Sequence, residues 1–288
     1  MIPYEIRTAA LQGDNEVVMQ WLNAHPEGVN DVAASGSSLL LLCGEDREFT
    51  VEQLELIRHL ISRGANPNRI SICDTGDGTT EEASVVHQAA GGKNSPHSQH
   101  VLACLLEAGA DPNLAIEVNA LGRTIRFTPL AATIDAFLAS STGSWQLPVV
   151  ARLLKAGASL DNCSDGLSAD RMIANEEREW PQLAGDDPYF QAAKALIQGV
   201  RAAGSWKKYC RRRAPHREIL ALRSLAMRGY LTPYQKRRTR TTDWKAAVAF
   251  VARLGDNGVV WNVLSFWRDA DDIEDLTLGN GDVVRVYE

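Results

Sequence analysis

Cysteine is scarce in this sequence, and none of its cysteines form a close pair. The 288 residues include five cysteines, an odd number at wide spacing, and no Cys-x-x-Cys motif occurs. This usage argues against a disulfide framework and favours a reducing compartment. No apolar run approaches the roughly 20 residues of a membrane-spanning helix, and the first residues lack a secretory-signal pattern. We therefore expect an intracellular, cytoplasmic protein, with the nucleus as the alternative compartment.

Recognisable signatures of catalysis, metal binding and nucleotide binding are also missing. There is no G-x-S-x-G element, "TGDGTT" at 75–80 matches neither a Walker loop nor a dinucleotide fingerprint, and "RDADDIED" at 268–275 lacks the glycine of a calcium loop. His87, His97 and His100 come near Cys73 and Cys104 in the chain, but their spacing is irregular for zinc. We expect no enzymatic activity, no cofactor and no metal.

Charge is unevenly distributed along the chain. The net charge is −6, yet residues 201–245 hold fourteen Lys or Arg and two acids, so this segment carries +12 and the remainder −18. This uneven distribution of charge indicates a region that contacts a partner or balances an acidic surface.

One phrase recurs three times: "LISRGANPN" at 60–68, "LLEAGADPN" at 105–113 and "LLKAGASLD" at 153–161. The glycines at its centre, Gly64, Gly109 and Gly157, are 45 and 48 residues apart. Each follows an amphipathic helical pattern, at the position where a helix ends in a left-handed residue. A shorter apolar helix precedes each of these, so the predicted unit is helix, turn, helix and extended loop.

These motifs resemble the ankyrin repeat. The resemblance rests on "RGANPN", "AGADPN", "TPLAAT" and "VVHQAA" and extends over residues 3 to about 203, with "AALQGDNEVVMQWLNAHPEGVN" as the first unit and "DGLSADRMIANE" opening the last. It implies an all-α ankyrin-repeat solenoid of about five helix-turn-helix repeats. It also implies binding of a partner protein at a concave repeat face. The spacing departs from the ankyrin period of about 33 residues.

The additional residues fall in long loops. "RISICDTGDGTTEEAS" follows the second unit, and "LASSTGSWQLP" separates two helices of the fourth. "LAIEVNALGRTIRF" follows the third and alternates in the manner of a long hairpin. Because insertions in a repeat stack gather on one face, which is often the binding face, these loops are candidate recognition elements. The predicted partner-binding residues are Arg69, Glu117, Asn119, Arg123 and Arg126.

The repeat pattern stops near residue 203, which predicts two domains, 1–203 and 204–288. Helical patterns occur in "PHREILALRSLAMRG", "DWKAAVAFVARLG" and "DNGVVWNVLSFWRD", and the sequence around Gly279 to Gly281 predicts a short terminal β-hairpin. We expect this C-terminal helical region to cap the repeats or to dock a second partner.

A basic patch begins the second domain. Its members are Lys207, Lys208, Arg211, Arg212, Arg213, Lys236, Arg237, Arg238 and Arg240. With Trp206 and Tyr209 alongside, the patch could bind phosphate backbones and stack on bases, or meet an acidic protein or an anionic membrane. A solvated helix face is the structural alternative.

Taken together, the sequence predicts a non-catalytic scaffold or adaptor that binds a protein through its repeats and long loops. One alternative is the substrate-recognition subunit of a larger enzyme complex such as a ubiquitin ligase, for which the motivation is the tail "NGVVWNVLSFWRD". The other is a polyanion binder, of nucleic acid or anionic lipid, acting through the basic 206–240 segment.

Overall fold

The structure is a computed structural model. It describes residues 1–45, 49–74, 80–91, 95, 97–120, 123–139, 146–213, 275–277 and 283–285. The chain divides into two compact units, Met1–Arg201 with Asp275–Glu288, and Ala202–Glu274.

The first part of the chain alternates helices with short strands. In order, the elements are α1 (Tyr4–Gln12), α2 (Asn15–Ala24), a 3₁₀ helix (Pro26–Asn30), α3 (Leu39–Leu42), α4 (Val51–Ser62), β1 (Ser71–Asp74), β2 (Thr80–Ala83), α5 (Val85–Ala90), α6 (Ser98–Glu107), β3 (Ile116–Ala120) and β4 (Arg123–Phe127).

The remaining described elements are mostly helical. They are α7 (Pro129–Ala139), α8 (Gln146–Lys155), α9 (Ala169–Glu179), α10 (Pro181–Asp186), α11 (Pro188–Ala203), α12 (Trp206–Arg213), β5 (Asp275–Thr277) and β6 (Val283–Arg285). The strands pair as three antiparallel two-stranded sheets, β1 with β2, β3 with β4 and β5 with β6.

Side-chain hydroxyls and one carboxylate define where the helices begin. The side chains of Asp14, Ser38, Thr50, Ser84 and Ser168 each accept a hydrogen bond from a backbone N–H in the first turn of the helix that follows. Thr50 also forms a capping box, because the Gln53 side chain accepts from its backbone N–H. Such caps satisfy N–H groups that have no partner inside the helix.

Helices of the first unit pack in pairs and in succession. α1 packs on α2, α3 on α4, α5 on α6 and α7 on α8, while α5 also packs on α7 and α6 on α8. The buried side chains between them are mainly leucine, valine, isoleucine and alanine; Leu56, Leu60, Leu102 and Leu105 are all fully buried. Burial of this apolar surface stabilises the helix pairs, which could not be stable alone.

The predicted all-α class is wrong, because β hairpins stand between the helix pairs. Residues 71–74 pair with 80–83 and residues 116–120 pair with 123–127, and along β3 buried Ile116 alternates with exposed Glu117 and Asn119. An ankyrin-type solenoid of about five like repeats is not evident either. The described α-helices range from four residues in α3 to sixteen in α11, so the units are not equivalent.

A ladder of asparagine side chains connects successive turns. Each asparagine donates from Nδ2 to the carbonyl oxygen of the glycine in the next recurring phrase, and its Oδ1 accepts from the backbone N–H two residues beyond that glycine. The first bonds join Asn30 to Gly64 (3.0 Å), Asn68 to Gly109 (3.0 Å) and Asn113 to Gly157 (3.2 Å). In the second set of bonds, the donors are the backbone N–H groups of Asn66 (2.9 Å), Asp111 (2.6 Å) and Ser159 (2.7 Å).

The ladder glycines explain why the phrase recurs. Gly64, Gly109 and Gly157 have φ values of +89°, +89° and +95°, in the left-handed region. A side chain would be strained there even though no neighbouring atom occupies the space. The glycine therefore ends a helix and turns its carbonyl toward the preceding asparagine.

Candidate partner-binding surface

The β3–β4 hairpin exposes a polar face, which we call the hairpin face. Its residues are Glu117, Asn119, Thr124 and Arg126, all exposed. Glu117 lies opposite Arg126 and Asn119 lies opposite Thr124 in the antiparallel register. Thr124 Oγ1 donates to Asn119 Oδ1 at 3.1 Å. Alternation along the two strands thus gathers these side chains on one side of the hairpin.

The base of the hairpin is held from several directions. Ile116 is buried, and the backbone N–H of Glu117 donates to Glu82 Oε2 at 2.8 Å. The N–H of Thr128, just after β4, donates to the carbonyl oxygen of Cys163 at 3.0 Å. These contacts fix the hairpin to the hairpin before it and to the loop after it.

His87 provides a further anchor at the end of β4. Its Nε2 lies 3.0 Å from the carbonyl oxygen of Phe127, and its Nδ1 lies 2.8 Å from Ser84 Oγ. A neutral ring satisfies both contacts if Nε2–H donates to the carbonyl and Nδ1 accepts from the hydroxyl. Burial lowers the pKa of His87 to about 4, so the ring is neutral near pH 7 and serves as a structural link.

A groove of about 490 Å³ adjoins the hairpin face. Seven of its nine lining residues have polar side chains, and the lining comes from the hairpin and from the two loops beside it. The lining residues are Asn113, Ala115, Arg126, Thr128, Ser159, Asp161, Asn162, Asp165 and Gly166. Arg126 belongs both to the hairpin face and to the groove, so the two form one continuous surface.

A tight turn forms one wall of the groove. Ser164 and Leu167 are bridged in antiparallel fashion, and Asp165 and Gly166 between them have φ values of +43° and +78°. Two left-handed residues in a two-residue loop are typical of a type I′ turn, for which Asp-Gly is a favoured sequence. The Asp165 N–H donates to the Arg126 carbonyl at 3.1 Å, and Asp165 Oδ1 accepts from the Arg126 N–H at 2.8 Å. The turn therefore extends the edge of β4.

Two arginines on this surface have different environments. Arg201 on α11 donates through Nη1 to Asp161 Oδ1 and through Nη2 to the carbonyl of Leu160, both at 3.0 Å, and its Nε pairs with Asp170. The guanidinium of Arg126 makes no hydrogen bond or ion pair with the residues the structure describes. Of these two arginines, Arg126 is the one whose guanidinium is not already paired with a described residue.

Three of the five predicted binding residues come together. Glu117, Asn119 and Arg126 share the hairpin face, whereas Arg123 opens β4 opposite Ala120 and only its backbone is described. Arg69 is not part of this surface. Its Nη1 donates to the carbonyl oxygen of Asn30 at 3.0 Å, and so it supports the turn that carries the first ladder asparagine.

The basic patch is described only in part. Lys207 and Lys208 are exposed on α12, and Arg211, Arg212 and Arg213 end that helix, with only their backbone described. Lys236, Arg237, Arg238 and Arg240 lie outside the described residues, as do the three predicted helices after residue 213. Trp206 and Tyr209 are 9% and 8% exposed, so they are not open platforms for stacking on bases.

The loop residues that line the groove are not predicted from the sequence. Asp161, Asn162, Asp165 and Gly166 were not predicted as binding residues, although the Asp-Gly pair between Ser164 and Leu167 is a hairpin signal. Asp161 occupies the position that Asn68 and Asn113 hold in earlier phrases. Its partner, Arg201, is 40 residues away in the chain, and no local pattern indicates that pairing.

Two buried cysteines of the described residues carry thiols that are not activated. Burial raises the pKa of Cys43 to about 12 and that of Cys163 to about 11, which keeps both thiols protonated at neutral pH. Within the described ranges, no three His, Cys, Asp or Glu side chains converge in a way that could hold a metal ion. Among the same residues, no helix combines the length and the apolar character needed to cross a bilayer.

Comparison with known proteins identifies no family for this chain. No protein-family model matches the chain, and no curated protein is similar to it.

Proposed function

We propose that this protein is a non-catalytic adaptor that binds a polypeptide partner through the hairpin face and the adjoining groove. The proposal depends on one observation: the hairpin face and the groove share Arg126 and so form one continuous surface. Exposed polar side chains of β3 and β4 lead directly into a groove of about 490 Å³. This volume lies within the range of about 300–1,000 Å³ in which proteins hold ligands.

The rigidity of the hairpin base supports binding. His87, Glu82 and Cys163 hold both ends of the hairpin through hydrogen bonds. A surface that is already ordered loses little conformational entropy when a partner docks. Loops that stand on a packed scaffold of helices are also where proteins commonly place recognition residues.

Photo-crosslinking tests the proposal directly. A photoreactive amino acid in place of Thr124 should form covalent adducts with a defined partner in an extract of the source cells. The same residue in place of Tyr4, which is 77% exposed on α1, is the matched control. Adducts at both positions alike, or at neither, would contradict the assignment of the binding surface.

A second candidate is polyanion binding by the basic patch. Exposed Lys207 and Lys208 on α12 favour it, while the burial of Trp206 and Tyr209 restricts it to charge contacts with phosphates. Affinity for heparin or single-stranded DNA should then fall steeply as salt rises, and Lys207→Gln with Lys208→Gln should reduce the salt slope by about two. The tail behind the ubiquitin-ligase alternative, residues 257–269, lies outside the described residues.

A further inference from the structure

We propose that the groove receives an acidic side chain of the partner, whose carboxylate pairs with Arg126 and with the backbone N–H groups of Asn162 and Gly166. This inference rests on the proposed function and names the chemistry that the surface selects. The polar groups of the groove divide into those that already have partners within the protein and those that do not.

The charged groups that line the groove are engaged, with one exception. Asp161 accepts from Arg201 at 3.0 Å, and Asp165 accepts from the backbone N–H of Arg126 at 2.8 Å. The side chain of Arg126 itself makes no hydrogen bond or ion pair within the described part of the chain. Among the charged side chains of the lining, the guanidinium is thus the group that has no hydrogen-bond or ion-pair partner in the described part of the chain.

The polar side chains of the lining are largely occupied as well. Asn113 uses its Nδ2 on Gly157 and its Oδ1 on Ser159. Ser159 Oγ donates to the carbonyl oxygen of Asp161 at 2.9 Å. These contacts maintain the asparagine ladder and engage both ends of the Asn113 amide.

Two backbone donors remain on the loop side. The N–H groups of Asn162 and Gly166 donate to no acceptor among the described residues. Both residues are left-handed, with φ values of +56° and +78°, and both line the groove. Backbone N–H groups that turns leave unpaired are a recurrent means of binding anions.

The chemistry of these donors selects a single carboxylate. A guanidinium binds a carboxylate through two parallel hydrogen bonds. Glu117 across the hairpin and Asp161 and Asp165 along the groove surround Arg126 with negative charge. This negative charge repels any anion, but a polyanion brings several charges into it, whereas one acidic side chain brings a single charge and can place it directly on the Arg126 guanidinium. An acidic residue within a partner segment is thus favoured over nucleic acid at this site.

Titration of the full-length ¹⁵N-labelled protein with three peptides tests the inference. The peptides are acetyl-SGAEAGS-amide, its Gln counterpart acetyl-SGAQAGS-amide, and the Gln peptide with a free terminal carboxylate. We expect the Glu peptide to shift the amide signals of Asn162 and Gly166 and to bind at least about tenfold more tightly than the capped Gln peptide. Arg126→Ala should abolish this difference, whereas Arg178→Ala, an exposed arginine with only a local contact to Asn175, should preserve it.

Each other result overturns the inference. Equal binding of the Glu and capped Gln peptides would exclude a role for the side-chain carboxylate. The same conclusion would follow if the Glu peptide shifted no amide signal at about 10 mM, near the limit of weak binding. Tight binding of only the uncapped Gln peptide would assign the site to a chain terminus instead. Because Thr124 crosslinking does not depend on Arg126, adducts there together with peptide failure would leave the proposed function intact while this inference fails.

Discussion

The ladder of asparagine side chains and the hairpin face both belong to the first unit, yet their polar groups are used differently. In the ladder, both ends of each asparagine amide find a backbone partner in the next turn. On the hairpin face, Arg126 is exposed, and its guanidinium makes no hydrogen bond or ion pair with the described residues. The difference separates polar groups that stabilise the fold from polar groups that remain available to a partner.

Arg201 and Arg126 give the same contrast within one residue type. Arg201 reaches Asp161, which stands where an asparagine would continue the ladder, and so it closes the last turn. Arg126 lines the groove together with Asp161, but its guanidinium pairs with none of the described residues. Arginine is suited to both roles, since its rigid fork serves carboxylates of the same chain and of another equally well.

Removing two rungs of the ladder should have the largest effect on stability. Asn68→Ala combined with Asn113→Ala deletes four hydrogen bonds and leaves backbone groups without their partners. We expect the free energy of unfolding to fall by about 2–4 kcal/mol, as measured by urea denaturation followed by circular dichroism. Asn119→Ala on the hairpin face is the control, with a loss below about 1 kcal/mol. Equal losses would remove the distinction between the two regions.

Acidification should weaken the anchor that His87 provides at the end of β4. The pKa of His87 lies at about 4 in the folded protein, against 6.5 for an ordinary histidine. The unfolded chain therefore binds the proton first, and stability falls as the pH drops from about 6.5 to about 4, by about 3 kcal/mol in total from this residue.

His87→Gln should make urea midpoints less sensitive to pH across this window, although it lowers stability at pH 7 as well. His59→Gln, at an exposed position on α4, should keep the wild-type pH dependence. A wild-type slope retained in His87→Gln would show that the acid sensitivity arises elsewhere.

Arg201→Ala should cost less than the ladder variant. It leaves Asp161 and Asp170 without their cation, but the side chains of both partners are partly exposed, and solvent compensates for most of the loss. We expect a decrease of about 1 kcal/mol in the free energy of unfolding, larger than that of Arg178→Ala. The decrease should shrink at high salt, and a loss that is unaffected by salt would argue against an ion-pair role.

The sequence predicted the local parts of this architecture better than the long-range ones. Glycine after an amphipathic helix predicted the helix ends at Gly64, Gly109 and Gly157, because that signal depends on neighbours in the chain. Alternation in "IEVNALGRTIRF" predicted the hairpin that carries Glu117, Asn119 and Arg126. These inferences needed no knowledge of tertiary contacts.

Other features depended on packing that no local pattern encodes. The sequence predicts a loop over the β1–β2 segment, whereas the structure pairs it as a hairpin in which Ser71 is buried and its Oγ accepts from the Ser38 N–H at 3.2 Å. The sequence also predicts a binding role for Arg69, whereas in the structure its guanidinium donates to a carbonyl 39 residues earlier. The groove wall at Asp165 is completed by β4, also 39 residues away. Charge and exposure alone could not separate such structural residues from free ones.

Arg126→Ala should have the smallest effect on stability. The side chain is exposed and has no partner among described residues, so we expect the free energy of unfolding to stay within about 0.5 kcal/mol of wild type. Arg126→Lys should also fold normally. Compared with Arg126→Ala, it should restore binding of the Glu peptide only in part, because a lysine ammonium cannot form the two parallel hydrogen bonds of a guanidinium.

The most direct measurement compares Arg126→Ala and Arg201→Ala for both unfolding free energy and binding of the Glu peptide. We predict that Arg126→Ala keeps the wild-type unfolding free energy and loses the preference for Glu over Gln, while Arg201→Ala is less stable yet retains that preference. Loss of stability in Arg126→Ala, or an unchanged preference for the Glu peptide in that variant, would contradict the division between fold and binding surface.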